Sequence, residues 1–398
     1  MEPVYIIDTV RTPIGKYGGI LSSVRPDDLL ALVIRAVVDR NPSIDVSAIE
    51  DVIAGAANQS GEDNRNVARM AALLAGLPIT IPGTTVNRLC ASGLQAIMDS
   101  ARTIACGDAQ LMIACGVESM SRAPFVMPKA STPFERTPHI YDTTMGWRFV
   151  NPKLSQLYHP FAMGETAENV AKQWNISRHA QDEFAIESQQ KYAAALKAEK
   201  WNDEIIPVEI KDRQGNVTLF SADEGVRPEI SRETLSKLKP VFSSSGTITA
   251  GSASQISDGG AAVVVMSKEK ALELGIEWLC EIGAHGMVAG PDAGLHEQPA
   301  NAIKEAARKE GIGVEQFDFI EINEAFAAIG IVSSKALGIN LSTVNIHGGA
   351  IAVGHPLGMS GARLALHIAL QLKAKGSGYG VAALCGGGGQ GDALIFRR

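Results

Sequence analysis

An internal duplication is the feature of this sequence that most constrains its fold. The tripeptide Thr85-Val86-Asn87 returns as Thr343-Val344-Asn345, and each copy leads into a glycine-containing turn and then a helical pattern. Both copies show the same six predicted elements in the same order: a helix opened by proline, an apolar strand, a helix stopped by glycine, the tripeptide strand, a helix and a last apolar strand. Strands that alternate with helices predict parallel or mixed sheets covered by helices, so we expect a duplicated α/β core.

The stretch between the two copies has a different composition. Prolines, aromatic residues and charges are frequent over residues 122–249, which we expect to fold over one face of the core. Such loops on a rigid scaffold are the usual place for substrate specificity. The predicted parts are an N-terminal half at 1–121 that is completed by 250–273, a loop domain at 122–249 that covers the active site and a C-terminal half at 274–398.

Composition excludes several classes of protein. The 398 residues carry a net charge of −7, which argues against a nucleic-acid-binding protein. No apolar run approaches the ~20 residues of a membrane span, and no basic segment precedes an apolar run at the N-terminus. The five cysteines form no evident disulfide framework and fit a reducing compartment. We expect a cytoplasmic protein without a membrane or nucleic-acid partner.

Cys90 is the first candidate for chemistry, because it follows a strand and begins a helix. The unpaired N–H groups and the dipole at a helix N-terminus stabilise a thiolate and can bind an oxyanion. A free cysteine taken alone is more often a small buried apolar residue. In the second copy His355 stands in the corresponding turn, where alone it would equally fit a structural histidine. If a pseudo-twofold axis relates the halves, the two turns meet and provide a nucleophile with its base.

Cys385 ends the last predicted strand and begins a glycine run. Gly386, Gly388 and Gly391 match a nucleotide-binding pattern, but only seven residues follow, which leaves no room for the helix and second strand that this motif requires. A cysteine followed by bare backbone better fits an acid/base thiol beside exposed N–H donors. The first-half counterpart, Cys115, is expected only to pack.

Four blocks, taken together, resemble the signature sequences of the thiolase family in order along essentially the whole chain. They are residues 87–93, residues 323–327, the Gly-His-Pro turn at His355 and the Cys-Gly-Gly-Gly-Gly run at Cys385. The resemblance implies a five-layer α-β-α-β-α thiolase fold. It also implies reversible cleavage of a 3-ketoacyl-CoA by coenzyme A, or the reverse condensation, in a setting such as fatty-acid β-oxidation. Coenzyme A would be a co-substrate, with no tightly bound cofactor.

The resemblance also implies a role for each matched residue. Cys90 would be the acylated nucleophile, activated by His355. Cys385 would move a proton to and from the α-carbon of the leaving acetyl group. Asn323 would hold a water that, with His355, stabilises the thioester enolate. The N–H groups of Cys90 and Gly387 would form a second oxyanion hole, and such donors contribute about 3–4 kcal/mol each.

Contacts to coenzyme A follow from further matches. Arg227 resembles the arginine that meets the nucleotide end, although a solvated surface arginine is the alternative. Ala250 and Ser254 lie in a segment that resembles the wall of the pantetheine channel. Met163 and Phe326, in two of the matched blocks, complete the predicted contacts.

Departures from the family pattern leave the substrate open. Short-chain biosynthetic thiolases usually have a histidine where Ala162 stands, and the nearest histidine here is His159. Residues 118–125 and 141–149 resemble bacterial thiolases that include 3-oxoadipyl-CoA enzymes, although those often have proline at the position of Gly164. Thiolysis of 3-oxoadipyl-CoA is therefore the alternative substrate hypothesis.

Competing functions are disfavoured by particular residues. A ketoacyl synthase of the same fold would have histidine in place of Asn323 and would lack Cys385. A catalytically silent acyl-CoA-binding protein would need neither cysteine. His347, which replaces the family's usual asparagine and has an open role, lacks with His355 the spacing of metal ligands on one helix face, so we expect no metal. Strands of such halves typically pair across a twofold axis, which predicts a homodimer or homotetramer.

Overall fold

The computed structural model describes residues 2–158, 161–292 and 294–398, so His159 lies outside the described residues. The strands are β1 Val4–Arg11, β2 Gly15–Lys16, β3 Asp51–Gly55, β4 Gly83–Val86, β5 Leu111–Ser119, β6 Phe125–Val126, β7 Tyr141–Asp142, β8 Val208–Lys211, β9 Val217–Phe220, β10 Ser257–Ser267, β11 Cys280–Ala289, β12 Phe317–Ile322, β13 Tyr379–Gly386 and β14 Gln390–Arg397. The α-helices are α1 Pro26–Asp39, α2 Val67–Leu74, α3 Ser92–Ala105, α4 Pro152–Leu157, α5 Met163–Gln173, α6 Arg178–Lys197, α7 Arg232–Ser236, α8 Lys268–Glu273, α9 Gln298–Glu310, α10 Ala327–Leu337, α11 Ala350–Val353 and α12 Leu357–Lys375.

One mixed sheet carries both copies of the duplication. Its strand order is β12-β13-β14-β11-β1-β10-β5-β3-β4, and a short antiparallel ladder between β1 and β11 joins the halves at its centre. From that ladder outward, successive strand pairs in each half are antiparallel, antiparallel and parallel. These pairs are β1/β10, β10/β5 and β5/β3 in the N-terminal half and β11/β14, β14/β13 and β13/β12 in the C-terminal half. The predicted α/β class and the duplication are confirmed by this mirrored order.

Side chains that alternate along the central strands separate two cores in the N-terminal half. Met112 and Ala114 of β5 join the core around α3 and α12, whereas Leu111 and Ile113 join the core under α1 and α2. All four are buried, as expected for a strand covered by helices on both faces. The run of consecutive apolar residues in β5 therefore supplies two layers of packing at once.

The C-terminal half repeats this arrangement and completes the layers. Leu394 and Phe396 of β14 face α3 and α12, while Ala393 and Ile395 pack in the outer core with α9. Helices α3 and α12 thus lie between the two half-sheets, with α1 and α2 outside one and α9 and α10 outside the other. This is the predicted α-β-α-β-α order of five layers.

The segment between the halves packs on both halves: Val208 of β8 and Phe220 of β9 lie in the outer core of the N-terminal half. Phe184 of α6 lies in a cluster with Ala327 and Ile331 of α10. Helices α5 and α6 are separate, because Asn175 between them adopts a left-handed φ of 51° and Ser177 caps α6. The exact domain boundaries stay a prediction. In the part of the chain that the structure describes, no helix is both long and apolar enough to span a membrane.

Candidate active site

The N-termini of α3 and α12 meet at the centre of the molecule through glycines. A Cβ atom on Gly93 would lie 2.6 Å from the carbonyl oxygen of Gly358, and one on Gly358 would lie 2.3 Å from the carbonyl oxygen of Val117. Only glycine permits backbones this close. Cys90 lies in a 3-10 turn directly before α3, and His355 lies two residues before α12. The duplication therefore brings both candidate turns to the same place.

Cys90 is held in a strained and buried turn. Its side chain is 5% exposed, and Leu89 before it has a positive φ of 51°, which costs on the order of 1 kcal/mol for a residue with a Cβ. The turn is fixed by Asn87 Oδ1, which accepts from the Leu89 N–H at 2.9 Å, and by Ser92 Oγ, which accepts from the Arg88 N–H at 2.9 Å. The sulfur is thus placed by local hydrogen bonds.

Burial dominates the electrostatics of the Cys90 thiol. It raises the pKa of Cys90 to about 12, although hydrogen bonds from the backbone N–H groups of Cys90 and Gly387 lower it. Desolvation is therefore a larger effect on the pKa of this thiol than the N–H groups that the sequence predicts to stabilise a thiolate, and that stabilisation stays a prediction. The same two N–H groups are those assigned to an oxyanion hole, and both lie close enough to the sulfur to act on it.

Two neighbouring side chains hold the ring of His355. Ser360 Oγ lies 2.8 Å from the Pro356 carbonyl and 2.6 Å from His355 Nδ1, and Asn323 Nδ2 lies 3.2 Å from His355 Nε2. A tautomer with its proton on Nδ1 satisfies all three contacts, because the hydroxyl then donates to the carbonyl and the amide donates to Nε2. Burial, with the charge of Arg363, lowers the pKa of His355 to about 3. Because burial also raises the pKa of Cys90, both the thiol and the imidazole are neutral in this state.

Asn323 and Cys385 complete the cluster. Asn323 Nδ2 lies 3.2 Å from His355 Nε2, and its Oδ1 is buried without a hydrogen-bond partner among the described residues. The Asn323 N–H donates to the Ala383 carbonyl at 2.9 Å, which fixes it beside the end of β13. Burial raises the pKa of Cys385 well above its usual value, and Cys90 raises it further. A Cβ atom on Gly386, the residue after Cys385, would lie 3.6 Å from the Arg88 carbonyl oxygen, so the end of β13 lies beside the turn that holds Cys90.

Gly387 lies next to the turn that holds Leu89 and Cys90. A Cβ atom at Gly387 would be 2.7 Å from Leu89 Cδ1 and 3.9 Å from Met163 Sδ. The turn after Cys385 reverses through Gly388 and Gly389, whose φ angles of 81° and 77° favour glycine. The glycine run therefore carries backbone N–H groups over Cys90, as the sequence suggested for bare backbone beside Cys385.

The residues predicted to contact coenzyme A gather where the segment after the loop domain crosses α10. Arg227 donates to the Ala250 carbonyl at 3.4 Å, and Ser254 Oγ donates to the Ala325 carbonyl at 3.1 Å. Phe326 and Met163 share one apolar cluster. These five residues thus lie along one line of contacts, called the seam below, that leads to the glycine-rich turn at residues 386–389. Their contacts with coenzyme A stay a prediction.

Sequence reasoning missed Glu118, which ties the two halves together beneath Cys90. Its carboxylate accepts from the backbone N–H groups of Ala57 at 2.9 Å, Asn58 at 3.1 Å and Gly358 at 2.8 Å. Burial raises the pKa of Glu118 to about 7. The detectable signal was a carboxylate at the end of an otherwise apolar strand. Ser360, five residues after His355, was missed as well.

His347 belongs to a different cluster. Its Nδ1 lies 3.0 Å from His367 Nε2, and His367 Nδ1 lies 2.8 Å from Glu204 Oε2. Burial lowers the pKa of His347 to about 4. This histidine therefore joins α12 to the loop domain instead of lying with Cys90. Over the described ranges, no group of three or more His, Cys, Asp or Glu side chains is arranged to hold a metal ion.

Comparison with known proteins agrees with this geometry. The model of the thiolase N-terminal domain matches residues 4–269, and that of the thiolase C-terminal domain matches residues 276–398. The 3-oxoadipyl-CoA/3-oxo-5,6-dehydrosuberyl-CoA thiolase of Escherichia coli is 48% identical over 100% of both chains. A probable acetyl-CoA acetyltransferase of Mycolicibacterium smegmatis is also 48% identical, over 99% of this chain and 100% of its own. The crystal structure of human mitochondrial 3-ketoacyl-CoA thiolase in complex with CoA superimposes with a TM-score of 0.91 at 34% identity, covering 100% of this chain and 98% of that one.

Proposed function

The chain belongs to the thiolase family, and from this premise we propose that it cleaves a 3-ketoacyl-CoA with coenzyme A through an acyl-thioester on Cys90. As a thiolase it is an acyltransferase. The observation that carries the proposal is the convergence of Cys90, Cys385 and the Asn323–His355 pair, with two backbone N–H groups acting on the Cys90 sulfur. The same site would run the reverse condensation.

The first half-reaction needs a base and a place for negative charge. His355 Nε2 takes the Cys90 proton as the sulfur attacks the 3-keto carbon, and the N–H groups of Cys90 and Gly387 hold the resulting oxyanion. The bond between C2 and C3 then breaks. The electron pair moves onto the acetyl thioester as an enolate, which hydrogen-bond donors near Asn323 and His355 stabilise. Cys385 protonates C2, so that acetyl-CoA leaves.

The second half-reaction regenerates the enzyme. The thiolate of Cys385 takes the proton of an incoming coenzyme A thiol, whose sulfur attacks the acyl carbon on Cys90. The bond from carbon to Cys90 sulfur breaks, the proton on His355 returns to Cys90, and a shortened acyl-CoA leaves. Two cysteines are needed because an acylated thiol cannot also carry the proton. Coenzyme A is thus a co-substrate, bound along the seam near Arg227, Ala250 and Ser254.

The role of Cys385 can be tested apart from that of Cys90. We expect Cys385→Ser to keep acylation of Cys90 but to lose exchange of the α-protons of acetyl-CoA in deuterated buffer, because serine is too weak an acid for the transfer. Cys106→Ser, at an exposed thiol, is the matched control. Normal exchange by Cys385→Ser would remove this cysteine from the proposed mechanism.

We propose a 3-ketoacyl-CoA with six acyl carbons and a terminal carboxylate, 3-oxoadipyl-CoA, as the preferred substrate. The name of the E. coli relative supports it more specifically than general β-oxidation, whereas the name of the M. smegmatis relative keeps acetoacetyl-CoA as the second candidate. Rates of thiolysis should be measured for both and for 3-oxohexanoyl-CoA. The highest kcat/KM is expected for 3-oxoadipyl-CoA; equal values would refute the preference, and no thiolysis at all would refute the function.

We also propose a cytoplasmic homodimer or larger oligomer. Strand β4 is the last strand of the sheet on the N-terminal side, and Thr84 on it is exposed. An uncovered edge strand offers unpaired backbone groups to a second copy, which supports pairing across a twofold axis.

A further inference from the structure

Arg148 is a partly buried cation that has no anionic partner among the residues that the structure describes. It lies on the loop between β7 and α4, and its guanidinium donates to Asn58 Oδ1 at 3.3 Å and to Ser60 Oγ at 3.4 Å. Both acceptors are neutral and both bonds are long. No carboxylate of residues 2–158, 161–292 or 294–398 forms an ion pair with it, whereas nearby Arg122 pairs with Glu62. Arginine binds carboxylates through two parallel hydrogen bonds, so the guanidinium of Arg148 still has N–H donors available for a carboxylate.

The hydrogen-bond acceptors of Arg148, Asn58 and Ser60, belong to a loop that lies beside the turn that holds Cys90. Ala57 accepts a hydrogen bond from Asn87 Nδ2 at 2.9 Å, and Asn87 stands three residues before Cys90. On its other side, the Asn58 N–H binds the Glu118 carboxylate, whose charge acts on Cys90. Loop residues 57–60 therefore span from the neighbourhood of Cys90 to the guanidinium of Arg148.

Burial on this side of the site disfavours negative charge: it raises the pKa of Glu118 to about 7, and the charge that Glu118 keeps repels a second carboxylate. A dicarboxylic acyl group on Cys90 would place its own carboxylate nearby: the succinyl group left by 3-oxoadipyl-CoA extends only three carbon–carbon bonds, about 4 Å, beyond the thioester carbon. Such a carboxylate needs a cation to offset the repulsion and the loss of water. A methyl-ended acyl chain of the same length has no such need.

We propose that Arg148, held by Asn58 and Ser60, binds the terminal carboxylate of a dicarboxylic 3-ketoacyl-CoA and thereby sets the substrate preference. This inference rests on the proposed thiolase function and adds the residue that selects the substrate class. The long bonds to Asn58 and Ser60 orient the guanidinium while they leave donors for the ligand. Lysine at this position would keep the charge but lose the paired donors.

The test compares two substrates that differ only at their far end, 3-oxoadipyl-CoA and 3-oxohexanoyl-CoA. We expect Arg148→Gln to lower the ratio of their kcat/KM values about 10- to 100-fold, mostly through KM for 3-oxoadipyl-CoA, as the loss of a charge-assisted hydrogen bond implies. Arg148→Lys should restore part of the ratio. Lys153→Gln removes an exposed cation a few residues further on and should leave the ratio unchanged.

The possible outcomes distinguish a failure of the proposed role of Arg148 from a failure of the proposed thiolase function. An unchanged ratio in Arg148→Gln, or an equal loss on both substrates, would overturn the role of Arg148. A wild-type enzyme that cleaves 3-oxohexanoyl-CoA but not 3-oxoadipyl-CoA would also overturn it, while the thiolase function stands. A wild-type enzyme that cleaves neither would refute the proposed function itself.

Discussion

Ser360 shows how one hydroxyl can determine the chemistry of a base. The Ser360 hydroxyl lies 2.8 Å from the Pro356 carbonyl and 2.6 Å from His355 Nδ1, and a hydroxyl that donates to the carbonyl accepts from Nδ1 and so favours the imidazole proton on that nitrogen. Without the hydroxyl the neutral ring is free to place its proton on Nε2, where it could not take the proton of Cys90. We therefore propose that Ser360 is a positioning residue that acts through His355.

We expect Ser360→Ala to lower kcat about 100-fold, the lower end of what general-base catalysis contributes, with little change in KM. Ser360→Thr keeps the hydroxyl and should recover most of the rate. Steady-state kinetics and the ¹⁵N shifts of the His355 ring measure both effects. Ser342→Ala, at an exposed serine, is the control. An unchanged tautomer and kcat in Ser360→Ala would contradict this role.

His296 makes stability depend on pH. Neither ring nitrogen has a hydrogen-bond partner among the described residues, and burial lowers the pKa of His296 to about 3. The unfolded chain, with a pKa near 6.5, then binds the proton first, so stability is full above that pH and falls as the pH drops. At pH 5 the loss is about 2 kcal/mol from this residue.

Replacing His296 with leucine should remove this pH dependence. The free energy of unfolding of His296→Leu relative to the wild type should rise by about 2 kcal/mol between pH 7.5 and pH 5. Urea unfolding at the two pH values gives the difference. If the two proteins lose stability in parallel on acidification, His296 is not buried in its neutral form.

At the scale of elements, a buried ionic network fastens the loop domain to both halves. Arg11 of β1 donates to Glu204 at 2.5 Å and to Asp223 at 2.7 Å, and Glu204 also binds His367 of α12. Although burial raises it, the charges of Arg11 and His367 lower the pKa of Glu204 to about 2. His347 joins the network through His367, which gives this histidine a structural place.

Breaking this network should destabilise the fold more than any exposed pair does. Glu204→Gln leaves Arg11 only partly paired in the interior, and one-sided removal of a buried charge costs about 3–5 kcal/mol. Urea unfolding near pH 7 measures the loss. Glu233→Gln, which breaks the exposed ion pair between Glu233 of α7 and Lys237, should leave the midpoint of urea unfolding unchanged. A loss below 1 kcal/mol for Glu204→Gln would contradict the network's importance.

The repeated elements could be predicted from the sequence because both copies carry the same periodicity and the same glycines. Their differences could not. Val344 forms only an isolated bridge with Ile320, whereas its counterpart Val86 belongs to a strand. The reason is Asn345, whose side chain bonds both the N–H and the carbonyl of Ile322 at 2.8 Å and so replaces the backbone ladder.

In the candidate site, too, some residues could be predicted from the sequence and others could not. Cys90, His355 and Cys385 stand out because each follows a strand or turn at a matching place in the duplication. Glu118 and Arg148 do not, since their meaning depends on which backbone or side-chain groups the fold places opposite them. The pKa of Cys90 was also beyond the sequence, because the helix terminus is local but the desolvation comes from the whole interior.

At the scale of the whole molecule, the pseudo-twofold core leaves β4 as an edge that a second copy can cover. We expect sedimentation velocity to show a dimer or larger species at micromolar concentration. Thr84→Glu should weaken the assembly, because each copy brings a like charge to the twofold interface. Val217→Glu, at an exposed position of β9 in a separate two-stranded sheet, should not. A monomeric wild type would refute the proposed pairing.

In the proposed mechanism, turns that are far apart in the sequence form one site in which Cys90 is acylated. Peptide mass mapping, after the wild-type enzyme is mixed with acetyl-CoA and quenched, tests this acylation. We expect a single acetyl group on the peptide that contains Cys90, and none in Cys90→Ser. An acetyl group found only on Cys106, Cys115, Cys280 or Cys385 would contradict the proposed mechanism.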